Sequence, residues 1–468
     1  MDFSSFSRKR RFVLIALAAV NLVVICLLVT TIVIAQRSLF AGRASPRDPS
    51  EDHMLADGVT PTPTVTLIPI GTLTPIPTNT RVVPREFYSA SLVEEVIEEV
   101  CVIRELQPLD EVPFKVLTEG EMTHEMREMY PPGVLVTELD RQWALYRLLG
   151  MVPEDAHVTE ENVDLLTSGY AGLYVPDLRS IYVVANHTNM SAEEEVIFAH
   201  EFTHALQDQY FDLGSYLTEG SSIDADLAAR ALAEGDATLV MAFYTYENTT
   251  QAEWDYLSYR ASFAEQPQLG LSEISESVSE IVSFPYEEGA EFVLTLFLKD
   301  GWYGVNAAFS DPPMSSEQVL HPEKYIDNRD VPVEVYLPGP PGAHWEPVLE
   351  DTLGEFIIWQ HLQMFLDDAD RAATAAAGWD GDRLAMWRDS SEQELVAWQL
   401  LWDSEADAEE FVAAYQSVIA GRYADTTRVD AMWWQVDGSY LALMPEGTRV
   451  WLIWAPDRPT GEALLANR

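Results

Sequence analysis

Residues 12–35 form a run of 24 positions without a charged side chain. At about 1.5 Å per residue this is roughly 36 Å of helix, enough to cross a bilayer core with some tilt. The run therefore predicts a transmembrane helix. The cluster Arg8, Lys9, Arg10 and Arg11 stands directly before it. Basic residues of this kind stay on the cytoplasmic side, so a tail over residues 1–11 is expected inside and everything after Gln36 outside. A cleaved signal peptide has a shorter apolar region, about 7–15 residues, and a small-residue cleavage site. Here the apolar run is longer, and Val33, Ile34 and Ala35 offer only a weak site. The expectation is a single-pass protein of the cell membrane with its main part extracytoplasmic.

Beyond the span the chain changes character over residues 36–85. Residues 60–80 alone hold eight Thr and five Pro. Proline fixes φ and removes backbone donors, so this linker is read as an extended stalk of at most roughly 130 Å.

The charge divides at the same place. The whole chain carries 28 basic and 76 acidic residues, net −48. Six of the basic residues and one acid lie in residues 1–43, which leaves 22 basic and 75 acidic residues outside. Such a surface repels phosphates, so nucleic acid is excluded as a partner. With 47% hydrophobic and 11% aromatic residues the outer part still has the material for a core. Of the two cysteines, Cys26 falls in the apolar run and Cys101 beyond it, so no disulfide closes within the outer part. Cys101 reads as a buried small hydrophobe.

The outer part is expected to be α+β: a main domain over residues 86–376 and a small C-terminal α+β module over 377–468. Apolar spacing predicts a helix over 89–105, a strand over 112–117, and a strand pair over 172–184 broken at Pro176-Asp177. Pro285 predicts a helix start, with Glu287 and Glu288 in the first turn, Lys299 at the end and Gly301 beyond. In the C-terminal module, Val396, Trp398, Leu400 and Trp402 alternate as a strand does. A helix over 405–420 capped by Ser404 follows, then strands over 432–436, 440–444 and 449–454. No phosphate-binding glycine loop and no G-x-S-x-G elbow is present.

The chemistry concentrates at His200-Glu201-Phe202-Thr203-His204, an H-E-x-x-H sequence. Ser191 and Glu194 form a capping box that starts a helix running to about Gln209. Residues four apart share a helix face, so His200 and His204 can ligate one metal ion. Glu201 lies about 100° further round, near a metal-bound water but badly placed as a ligand. A catalytic zinc ion takes three protein ligands. The helix expected after Ser221 and Ser222 is rich in small residues, and Ala233-Glu234-Gly235-Asp236-Ala237 stands in their midst. A carboxylate buried there needs a partner or a metal, which nominates Glu234 as third ligand. Asp226 and Asp236 are the alternatives, and a plain ion pair of Glu234 with Arg230 is the structural reading.

These residues resemble the gluzincin-type zinc metallopeptidases, which join H-E-x-x-H on one helix to a Glu on a following helix. The resemblance covers about residues 191–246 and rests on His200, Glu201, His204 and Glu234, with 29 residues between His204 and Glu234. Departures from the thermolysin-like pattern stand at Ala233 and Thr238, where that pattern has Asn and Asp. Asp236 or Asp226 is left to orient a histidine. The longer phrasing, with His321-Pro322-Glu323-Lys324-Tyr325 downstream, looks like a membrane-anchored branch of that group. The resemblance implies a zincin-like domain, a zinc cofactor, and hydrolysis of peptide or protein substrates by a zinc-activated water. Glu201 is then the general base, with Tyr286 and His321 as candidate donors to the oxyanion. Two other functions fit the same motif: a surface scaffold or adhesion protein with structural zinc, and a zinc hydrolase of non-peptide substrates.

Overall fold

The computed structural model describes residues 90–129, 132–156, 171–184, 191–213, 222–264 and 276–466. The expected membrane span and stalk lie outside them. Among the described residues no helix is long and apolar enough to cross a membrane.

Helix α1 (Ala90–Arg104) is followed by β1 (Phe114–Leu117), α2 (Glu119–Met129) and α3 (Pro132–Leu148). Next come β2 (Gly172–Val175) and β3 (Ser180–Val184), which pair antiparallel as the sequence predicts, with Gly172 opposite Val183 and Val175 opposite Ser180. Strand β1 joins the other side of β3 in parallel, giving the order β1-β3-β2. Four helices then build the centre: α4 (Ala192–Phe211), α5 (Ile223–Asn248), α6 (Gln251–Ala264) and α7 (Glu276–Ser310). Two short helices, α8 (Ser316–Leu320) and α9 (Pro322–Ile326), lead towards the second sheet.

That sheet has seven strands: β4 (Glu346–Asp351), β5 (Trp379–Arg388), β6 (Glu394–Trp402), β7 (Thr426–Arg428), β8 (Trp433–Val436), β9 (Ser439–Glu446) and β10 (Arg449–Ala455). They pair antiparallel in the order β4-β5-β6-β10-β9-β8-β7. Helices α10 (Gly354–Gln363), α11 (Ala369–Ala376), α12 (Glu405–Arg422) and α13 (Arg458–Leu465) accompany it.

The expectation of a zincin-like domain followed by a small α+β module does not hold. The chain is a mixed α/β structure of helices with two sheets, and one hydrophobic core runs from Val93 in α1 to Leu452 in β10. The second sheet is larger than the sequence announces, and its strands β5 and β6 are covered on both faces. Leu384, Trp398 and Leu400 face the common core, while Ala385, Trp387, Leu395 and Ala397 face a second cluster with Trp451 and Leu464. Burial on both faces erases the polar–apolar alternation that marks a half-exposed strand. Strand β5 is further disguised by Asp382, which is buried as an acceptor for Trp379 Nε1 (3.1 Å), Trp398 Nε1 (2.9 Å) and the Leu353 and Gly354 N–H groups.

A second correction concerns Pro285. Helix α7 begins at Glu276 and carries Pro285 inside, at the loss of one ladder hydrogen bond. Its helical geometry fails where Lys299 and Gly301 mark an end, with Gly301 at φ +63°, and resumes through Ser310.

Helices α5 and α7 cross at bare backbone. A Cβ on Gly235 would lie 2.2 Å from the Gly289 carbonyl oxygen, and one on Gly289 would lie 2.3 Å from that of Ala231. The small residues of α5 therefore serve the contact with α7. Gly289→Ala is expected to wedge the two helices apart and to cost about 1–3 kcal/mol, as overpacked cores do. A lower urea midpoint with an unchanged slope is the measurement; an unchanged midpoint contradicts the packing described.

Candidate metal centre

Helix α4 starts where its capping box places it. Ser191 Oγ accepts from Glu194 N, and the Glu194 carboxylate accepts from Ser191 N. The helix then carries His200, Glu201, His204, Gln207 and Asp208 at successive turns. Helix α5 is capped by Ser222, and its first turn is fixed from outside. Ile223 N donates to Asp351 Oδ1 (2.8 Å), and Asp224 Oδ1 accepts from Ser316 N (2.9 Å). Three turns on, Glu234 faces α4.

His200 Nε2, His204 Nε2 and Glu234 Oε2 converge on one point. Glu234 Oε2 lies 3.1 Å from His200 Nε2 and 3.3 Å from His204 Nε2, and the two imidazole nitrogens are 3.1 Å apart. The histidine rings meet edge to face, 86° apart. Burial raises the cost of charge on Glu234, but the two imidazoles outweigh it and hold its carboxyl well below the usual range. Burial likewise opposes a proton on His204, and the Glu234 carboxylate overrides it, raising the group to about 9.

Glu201 is buried beside this point. Its Oε2 accepts the N–H of Tyr174 at 2.7 Å, and the Tyr174 hydroxyl donates to Asp208 Oδ2 at 2.8 Å. Strand β2 is thereby fastened to α4 at two points, two turns apart. Gly172 makes the approach possible, because a Cβ there would come within 2.5 Å of Ile197 Cγ2 and 3.0 Å of Glu201 Cγ. Burial pushes the Glu201 carboxyl up, against the opposing pull of His200 and His204.

The remaining candidates separate cleanly. Asp226 pairs with Arg230 at 2.7 Å, so Arg230 is engaged by Asp226 rather than by Glu234. Asp236 is fully buried against Arg104, at 2.8 Å. Neither aspartate touches a histidine. Instead His204 Nδ1 meets Gln207 Oε1 at 2.9 Å. Tyr286 of α7 stacks near His200, ring centres 6.3 Å apart, and so borders the site. His321 is held by Glu355 Oε1 at 3.0 Å. Tyr174, Gln207 and Arg104 are the residues that sequence reasoning missed. A polar residue one helical turn after His204 was the available signal for Gln207; a backbone donor and an arginine 132 positions before Asp236 offered none.

A second acidic group, Glu317, Asp330 and Asp403, already holds a cation of the chain. Lys324 Nζ lies among its carboxylates at 2.6, 3.1 and 2.9 Å, matching three donors to three acceptors. At the histidine site the groups that face the Glu234 carboxylate are the two imidazoles. Two imidazole nitrogens and one carboxylate oxygen, all within 4.8 Å of one another, match in number and type the three protein ligands that zinc takes where it keeps a position for water. The residues therefore fit the ion that the motif implies.

Among known families, the one described as Domain of unknown function (DUF8575) matches residues 346–465, the stretch of the seven-stranded sheet. No curated protein and no solved structure matches the chain.

Removing one ligand is expected to remove the metal: His204→Ala and Glu234→Gln should lose stoichiometric zinc, while Asp226→Asn keeps it. Zinc must also displace the His204 proton, which the metal-free chain holds to about 9. Apparent affinity should therefore rise with pH up to about 9 and level off above it. Metal analysis and competition titrations between pH 6 and 10 check both expectations.

Proposed function

We propose that this chain is a zinc-dependent peptidase, membrane-tethered and acting outside the cytoplasm. The observation that carries the reading is the convergence of His200, His204 and Glu234 with Glu201 held alongside. Three protein ligands rather than four favour an open, catalytic site over a closed, structural one. The resemblance of these four residues to the gluzincin-type set supports the chemistry and carries no claim about the fold. The location rests on residues 12–35 and the basic cluster before them.

A bound zinc ion supplies Lewis acidity towards the scissile carbonyl and lowers the pKa of water. The chain's own groups do the rest. Glu201, held by its Oε2 on the Tyr174 N–H, takes a proton from the attacking water and passes it to the leaving amine nitrogen. Burial raises the carboxyl towards the working pH, as a general base requires. Tyr286, whose ring stacks near His200, is the candidate donor to the carbonyl oxygen as negative charge develops. Strand β2 ends its sheet and runs against the Glu201 side of α4, a fitting edge for an extended peptide.

The test uses the purified full chain against a broad peptide library. Cleavage should stop on chelation and return with zinc. Glu201→Gln should keep its zinc and lose about 10²–10⁴ in rate, the usual share of a general base. A zinc-loaded wild type that cleaves nothing, indistinguishable from Glu201→Gln, would end the proposal.

A further inference from the structure

Gln207 holds its amide in one orientation. Its Nε2 donates to the Ala233 carbonyl oxygen (2.9 Å) and to Asp236 Oδ2 (2.9 Å), and both partners only accept. Its Oε1 is thus the atom that faces His204 Nδ1, so the hydrogen between them belongs to His204. His204 consequently carries its ring hydrogen on Nδ1 and turns the lone pair of Nε2 to the centre shared with His200 and Glu234.

Asp236 is in turn fixed by Arg104, the last residue of α1. Arg104 Nε lies 2.8 Å from Asp236 Oδ1, with both side chains wholly buried. Its guanidinium also donates to Asn306 Oδ1 at 2.7 Å and lies 4.5 Å from the centre of the Trp302 ring. Trp302 and Asn306 follow directly on the Asp300–Gly301 break in α7, so the break is what brings them to Arg104. Arg104 Nε and Gln207 Nε2 both donate to Asp236 Oδ2, which ties the three side chains together.

We propose that Arg104, Asp236 and Gln207 form a positioning relay that sets the tautomer and ring orientation of His204 for metal binding. This deepens the zinc reading and rests on it. The relay's residues touch neither metal nor substrate, and it reaches the site through one imidazole. Its role differs from that of a plain ion pair clamping α1 to α5. A clamp affects stability alone, whereas the relay affects how the metal is held.

Two variants of the full chain test it, Gln207→Met, which removes the acceptor at similar volume, and the nearly isosteric Asp236→Asn. The readouts are zinc affinity by chelator competition and the visible absorption of the cobalt-substituted protein, which reports ligand geometry at saturation. Gln207→Met should bind zinc about 10–100-fold more weakly, the usual effect of losing a partner of a ligating histidine. It should also shift the cobalt bands. Asp236→Asn should change both in the same direction by less. Folded variants with wild-type zinc affinity and wild-type cobalt bands would overturn the relay and leave the metal centre standing. Undiminished zinc in His204→Ala would instead overturn the metal reading, and the relay with it.

Discussion

The crossing of α5 and α7 at Gly235 and Gly289 is the contact on which the site depends. Each glycine faces a backbone carbonyl of the other helix at a distance that leaves no room for a methyl group. Glu234 adjoins one of these glycines, and Tyr286 stands one turn before the other. Bringing the two backbones together therefore delivers a carboxylate and a phenol to the same histidine pair. A looser crossing, with side chains between the helices, would separate them by the thickness of that layer. The long apolar surfaces of both helices then hold this geometry by burial in the common core.

How much of this the sequence reveals depends on whether a feature is local. The start of α4 at its capping box, the start of α5 after Ser222 and that of α12 after Ser404 are local hydrogen-bonding patterns, and each lies where the sequence places it. The pairing of β2 with β3 is likewise short in range. The architecture is not local. Strand β5 lacks alternation because both its faces are covered, so it could not be read, whereas β6, β8, β9 and β10 could. Pro285 misled for a related reason: a rule about isolated helices gave way to the packing of a long buried one.

The site shows the same division. Four residues acquire roles from their spacing, but the groups that orient them do not. Asp236 is legible as an acid among small residues and, like Asp226, as an alternative ligand or an acceptor for a histidine; it serves Gln207 instead, at the far end of a chain that closes on Arg104. Breaking a buried ion pair of this kind leaves an uncompensated charge at a cost of about 3–5 kcal/mol, so the pair is demanding to keep as well as to lose. The 76 acids that dominate the composition say nothing of this. Lys324, ringed by three carboxylates, shows that an acidic cluster in such a chain is as readily a cation's counterpart as a site.

The tie between Tyr174 and Glu201 has a different character from every other contact at the centre. Its donor belongs to the main chain, so nineteen of the twenty amino acids could stand at position 174 and still present it, proline being the exception. The orientation of the proposed general base is thus inherited from the path of a strand. It can persist while the residue at that position drifts, and it can be lost without any change there, through a side chain at Gly172 that lifts the strand away.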